Sequence, residues 1–369
     1  MSRAIQLAVL VQMLLAGAVQ RDEEYVGIER LSGRVLLAYW VGTGRCNLTA
    51  IQSEKGLVVI DTEMSPRIMA PIKARIEREF RRNDWAYVIN THAHIHHTGG
   101  NALFDGAAVV GHENLPEDME WLVRKQADPE AKRRDLERAA QTLRNLRAAL
   151  PQVAGNRAQT RMIRGEIRFW ELYTQDMKES YEVVKPSLTF ADRHTLDLGD
   201  LKLELVFFGK GHSISDILTY VPQERLLVTG AIVYQRGHLP EIGEQSHMQD
   251  VQRFLTVLDE FLAPEVPIDR LISSHSPPLL KGDMLPVRNY YQGMLTAVRA
   301  ARQEGLTLPQ TTARLTVRRS FPWFREPPPG DWAHGMHERN LRNLWRILDE
   351  EQQQPTTSGN ATEGRQQTR

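Results

Sequence analysis

The segment Thr91-His92-Ala93-His94-Ile95-His96-His97-Thr98-Gly99-Gly100-Asn101 gathers four of the chain's 12 histidines into six residues. It follows directly on Trp85-Ala86-Tyr87-Val88-Ile89-Asn90, a short apolar run with strand character. At a strand exit the alternate residues His92 and His94 point the same way, and Gly99-Gly100 turns the chain away. Two imidazoles then converge on one point. Imidazole is a borderline ligand suited to zinc, and a catalytic zinc site takes about three protein ligands while keeping a position open for water. The single cysteine, Cys46, excludes an intramolecular disulfide and any cysteine-rich zinc site, so a metal must rest on His, Asp or Glu.

Two further histidines sit at comparable strand ends. His212 lies in Gly209-Lys210-Gly211-His212-Ser213 after the apolar run 201–208, and His275 lies in Ser273-Ser274-His275-Ser276-Pro277 after a run through Leu271. Loops at one end of a rigid sheet are where active-site groups collect. His112, His194, His238, His247, His334 and His337 lack matched spacing and read as surface or packing residues. Asp216 stands where it either braces the His212 loop or fills an ordinary turn.

Around these motifs the 369 residues read as a mixed α/β protein. β-pattern runs through residues 35–40, 48–51 and 57–60 as successive antiparallel strands, and a helix is predicted after Ser65-Pro66, with Ser65 as cap and Ile68, Ile72 and Ile76 on one face. Residues 113–185 are rich in Arg, Glu, Gln, Ala and Leu and predict a helical insertion, with stripes at Leu136, Leu143, Leu146, Leu150 and at Ile163, Ile167, Trp170, Met177. Packing is its first expected role and a cover over the site the second. Strands are expected at 196–198, 201–208, 217–221, 226–233 and through Arg270-Leu271-Ile272-Ser273, with Gly199-Asp200 as a hairpin turn. Helices follow at 285–303 and 336–350, and a polar tail, 351–369, reads as disordered.

Forty-six Lys and Arg balance 46 Asp and Glu, which argues against a nucleic-acid or general polyanion partner and leaves a small-molecule substrate. Arg3 and an apolar run over 4–19, with Ala16-Gly17-Ala18 as a small-x-small cleavage site, predict a signal peptide over 1–18 and a periplasmic or secreted protein. The run is too short for a stable membrane span. A cytoplasmic protein with this segment packed on its core is the competing reading. The sequence carries no signal for oligomeric state.

Taken together, His-x-His-x-x-His-Thr-Gly-Gly-Asn, the preceding Gly56-Leu57-Val58-Val59-Ile60-Asp61-Thr62 and the later Gly211-His212-Ser213 and Ser274-His275-Ser276 resemble the metallo-β-lactamase superfamily. The resemblance implies a four-layer αββα sandwich formed by residues 24–112 and 186–280, with the 113–185 insertion and a C-terminal helical extension over 281–350. It implies a zinc-dependent hydrolase in which metal-bound hydroxide attacks an ester, lactone, amide or similar group, with no protein nucleophile. Carried over by position, His92, His94 and His212 would hold the first zinc, His97 and His275 the second, and Asp61 would orient a ligand histidine.

The chain also departs from that pattern. His96 and Ala231 stand where the superfamily has metal-site aspartates, and Glu63 stands where it usually has glycine. In two-metal sites the ions lie about 4 Å apart, and an aspartate there offsets their charge, a role a neutral imidazole cannot fill. One tightly bound zinc is therefore expected, with the second weaker or absent unless His96 ligates. A catalytically impaired protein with a binding or regulatory role is the alternative, set against the survival of all five other histidines.

Overall fold

The computed structural model describes residues 19, 22–42, 46–235, 238–331 and 333–353; the expected signal peptide and residues 354–369 of the expected tail lie outside them. Short, largely apolar runs, many of them buried on both faces, build two sheets. The first runs in chain order: β1 (Val26–Arg30), β2 (Val35–Trp40), β3 (Asn47–Ser53), β4 (Gly56–Ile60), β5 (Trp85–Ile89), β6 (Ala108–His112) and β7 (Leu188–Phe190). Its first four strands pair antiparallel, β2 to β4 as the sequence predicts and β1 in addition, and β4 to β7 pair parallel. The second sheet has the order β12-β11-β10-β9-β8, from β8 (Arg193–Asp197), β9 (Lys202–Phe207), β10 (Ile217–Val221), β11 (Leu226–Gly230) and β12 (Arg270–Ser273). Only β11 and β12 pair parallel within it.

The period of two decides the layers. On β4, Val58 and Ile60 face the second sheet and pack with Leu203, Leu205, Ile217, Val228 and Ile272, while Leu57 and Val59 face outward. There they meet Ile68, Ile72 and Ile76 of α1 (Pro66–Phe80). Short α2 (Ile95–Thr98) carries His96 and His97, and the insertion contributes α3 (Pro129–Ala149) and α4 (Arg157–Glu179) to the same outer face. The outer face of the second sheet, through Val206, Leu218, Leu227 and Leu271, is covered by α5 (Met248–Leu262), α6 (Met284–Gln303) and α7 (Met336–Gln353). The result is a four-layer αββα sandwich.

Several details depart from the sequence reading. Ser65 stands at the α1 cap, but its hydroxyl makes no capping bond and is buried without a partner. The strand expected over 226–233 stops at Gly230, whose φ of 53° turns the chain; a side chain there would lie 2.9 Å from Thr91 Cβ. The last helix runs to Gln353, three residues into the expected tail. Neither β6 nor α5 was anticipated, although Val251, Phe254, Val257, Leu258 and Phe261 of α5 follow helical spacing and are all buried.

Phe254 is fully buried, stacks on Phe208 and lies tilted against Tyr291, with ring centroids 4.9 Å apart in both pairs. Phe254→Ala should cost about 3–5 kcal/mol by lost transfer energy plus the cavity left behind. Urea unfolding should show a lower midpoint with unchanged slope, whereas exposed Leu280→Ala should shift stability by no more than about 0.5 kcal/mol.

Candidate metal centre

The strands β4, β5, β9 and β12 end at one edge of the sandwich, and the loops there carry the candidate residues. Ile217 N donates to Thr91 O (2.9 Å) and Asn47 N to Ser274 O (2.7 Å), tying the two sheets together at that edge. Asp61 closes β4 with a left-handed φ of 66° and is buried. Its Oδ1 accepts from Thr91 N (2.8 Å), and its Oδ2 accepts from Thr91 Oγ1 (2.9 Å) and from His97 Nδ1 (2.7 Å). Since Thr91 Oγ1 spends its proton on Asp61, it accepts from His92 Nδ1 at 3.0 Å. Both rings are thereby fixed in the tautomer that leaves Nε2 unprotonated.

His92 Nε2 lies 3.2 Å from His94 Nδ1, and His212 Nε2 lies 2.9 Å from the same atom. The His212 ring is oriented from its other side, where Nδ1 donates to Glu241 Oε1 at 2.7 Å. His92, His94 and His212 form one group whose ligand atoms all lie within 4.8 Å of one another; His92, His96 and His97 form another. The structure thus brings together the three residues expected for the first ion. In the second group His96 and His97 share His92 with the first. His275, the more exposed member of the expected set, sits with its ring 5.0 Å from His96 and 5.6 Å from His97, and Tyr234 lies parallel to it at 6.3 Å.

The chemistry of this donor set fits a cation. His97 Nε2 is fully buried and has no hydrogen-bond partner, an arrangement that leaves a lone pair facing the cluster. Burial, followed by the neighbouring rings, pushes the pKa values of His92, His94, His96 and His97 well below the usual imidazole value, so these rings are held neutral, as ligation requires. His212 is the exception. Burial opposes its protonation too, but the hydrogen bond and charge of Glu241 outweigh that and raise its pKa. Burial also pushes Asp61 up to about 7, against the pull of its Thr91 hydrogen bonds.

Beside the histidines lies a cleft of about 730 Å³ whose walls include Trp40, Met64, Leu146, Phe169, Trp170 and Tyr234. The insertion both packs and lines the cleft: Ala139, Leu172 and Met177 join the core on the outer face of the first sheet, while Thr142, Leu146, Phe169 and Trp170 line the cleft. His238, read as packing, also lines it. His112 does pack, stacking on Phe207 at 3.6 Å, and His337 is buried against Tyr290. His194 lies over Phe190, His247 caps α5, and His334 bonds Pro327 O. Asp216 does brace the His212 loop, accepting from Ser213 N (3.0 Å) and Ser213 Oγ (2.7 Å). Sequence reasoning missed Glu241, Thr91 and Cys46, whose Sγ donates to His96 O at 3.1 Å.

A family model described as the metallo-beta-lactamase superfamily matches residues 41–275. No curated protein matches the sequence significantly. Among solved structures, a metallo-beta-lactamase family protein from Thermus thermophilus is similar at 17% identity and a TM-score of 0.52, covering 88% of this chain and 95% of its own. The stereoselective inverting sec-alkylsulfatase of Pseudomonas sp. is similar at 17% identity and a TM-score of 0.56, with 91% of this chain covered. The match takes in 52% of that enzyme, so this chain spans about half its length. At such identity the likeness is one of fold.

The contrast among the rings can be read directly by NMR of the imidazole nitrogens in metal-free protein. His212 should take up its proton above pH 6.5 as pH falls, and His92, His94, His96 and His97 only below it. Glu241→Gln removes the charge that stabilises the imidazolium, so the His212 transition should move down to join the others; an unmoved transition would show that Glu241 is not its cause.

Proposed function

The chain belongs to the metallo-β-lactamase superfamily, and from that premise we propose that it is a zinc-dependent hydrolase acting on an ester, lactone, amide or similar group of a small molecule with an apolar part. The observation that carries this reading is the convergence of ring nitrogens from His92, His94 and His212, with the orphaned His97 Nε2 beside them. His92, His94 and His212 would hold the first ion, and His97 with His96 and His275 a second. A bound zinc ion supplies Lewis acidity, activating water near neutral pH and polarising the substrate's oxygen.

The chain's own groups do the rest. Asp61 holds His97 directly and His92 through Thr91, and Glu241 holds His212, so three rings keep their lone pairs aimed inward. The aromatic walls from β2 and α4 receive the apolar part of the substrate and exclude water from the reacting group. No serine or cysteine nucleophile is needed. Because every ligand is an imidazole and none a carboxylate, a second dication beside the first lacks an anionic ligand, and it should bind more weakly.

Elemental analysis after dialysis should therefore give nearer one zinc than two per chain; two firmly retained ions would mean that His96 ligates strongly. His94→Ala should lose the tightly held zinc. Zinc-loaded wild type should turn over at least one class in a panel of esters, lactones, amides and, given the sulfatase among the neighbours of this fold, alkyl sulfates. Turnover no greater than that of His94→Ala throughout the panel would sink the hydrolase reading and leave a binding role.

A further inference from the structure

Glu63 is 1% exposed and lies on the cleft wall together with His94, His96 and His275. Its Oε2 accepts from Met64 N at 3.2 Å, while its Oε1, fully buried, has no donor. A buried carboxylate with an open oxygen is costly unless a proton or a positive charge accompanies it. The surroundings sharpen the cost. Burial, reinforced by the nearby acids Glu166 and Asp61 against one backbone hydrogen bond, pushes the Glu63 pKa up to about 8. The residue also holds a left-handed φ of 62°, a conformation that favours glycine, so both its backbone and its side chain are kept at a disadvantage.

Its place explains what could offset this. Glu63 O accepts from Gly99 N at 2.9 Å, which ties the residue to the end of the turn carrying His96 and His97. Cys46 lies close by: its Sγ is 3.8 Å from His97 Nδ1, and the charges of Glu63 and Asp61, after burial, raise its thiol pKa. Beside this carboxylate stands a donor set made only of neutral rings, His92, His96 and His97. A buried carboxyl that gives up its proton only at a cost, and a cation site without an anionic ligand, answer each other.

We infer that Glu63 supplies, from the cleft wall, the negative charge that the all-histidine ligand set lacks, and that retention of a second metal ion beside His96 and His97 depends on it. The inference rests on the metal-site reading above and extends it to a residue outside the ligand set, acting through charge and not through coordination.

The test is a zinc titration of the full-length protein against a chromophoric chelator, resolving both dissociation constants, with cobalt absorption as a second readout of each site. Glu63→Gln, nearly the same shape but neutral, should leave the first constant unchanged and weaken the second by about 10- to 100-fold. Glu63→Asp, which keeps the charge, should retain most of the second-site affinity. Adding His96→Asp to Glu63→Gln places a carboxylate directly at the cluster and should restore the second ion, a recovery that a merely structural role for Glu63 would not produce. A second constant unchanged in Glu63→Gln, or a loss that His96→Asp does not repair, would overturn the inference while the first site stands. Failure of the wild type to bind zinc at the first site would instead overturn the parent reading, and this one with it.

Discussion

Asp61 is a carboxylate removed from water at the end of β4, and its two oxygens take up Thr91 N, Thr91 Oγ1 and His97 Nδ1. That arrangement sets the direction of two imidazoles at once, one by direct contact and one through a hydroxyl. It requires the left-handed turn at Asp61, which lets the chain leave β4 while Asp61 N still bonds Ile89 O at 2.8 Å. The Gly99-Gly100 pair answers the same crowding from the other side. A side chain at Gly99 would fall 2.2 Å from Met64 O, and one at Gly100 2.2 Å from Thr62 O. The histidine turn can lie against the β4 exit only because both positions lack Cβ.

The other half of the cluster is anchored from the opposite layer. Glu241, which orients His212, sits on a loop held by the C-terminal helices: Tyr291 of α6 donates to Glu241 O at 3.0 Å, and Asn340 of α7 takes Ile242 N at 2.9 Å and gives to Pro240 O at 2.7 Å. The insertion is placed by a similar close approach. Gly165 of α4 lies so near Val41 O that a Cβ would meet it at 2.3 Å, and Trp40 Nε1 donates to Gly165 O at 2.9 Å. This seating is what turns Phe169 and Trp170 toward the cleft.

Much of this was legible in the sequence where a short-range pattern carries it. Short, largely apolar β-rich runs marked β2, β4 and β10, four-residue spacing marked α1, and the dense run His92 to His97 marked the site. The hydroxyl of Ser65 misled because capping depends on a geometry that tertiary packing overrode. Glu241 was not legible: it lies in an aperiodic loop, 29 residues beyond the ring it orients, and only the packing of α6 and α7 brings the two together. Glu63 could be seen as an unusual residue at its position, but the absence of a donor to its buried oxygen is a property of the folded surroundings. The sharing of His92 between the two groups likewise follows from ring positions that spacing alone does not determine.

His92, His94 and His97 hang from the exit of β5, whereas His212 follows β9 in the facing sheet, and the nitrogens of His94 and His212 stand 2.9 Å apart across that divide. An ion seated between them would act as a clasp on the open edge of the sandwich, since separating the layers would also tear its ligands apart. Any species that binds only the closed form stabilises that form in proportion to its concentration and affinity. Occupancy of the cluster would then be written into the thermal resistance of the whole domain, making the melting temperature a gauge of metal status even in the absence of a substrate.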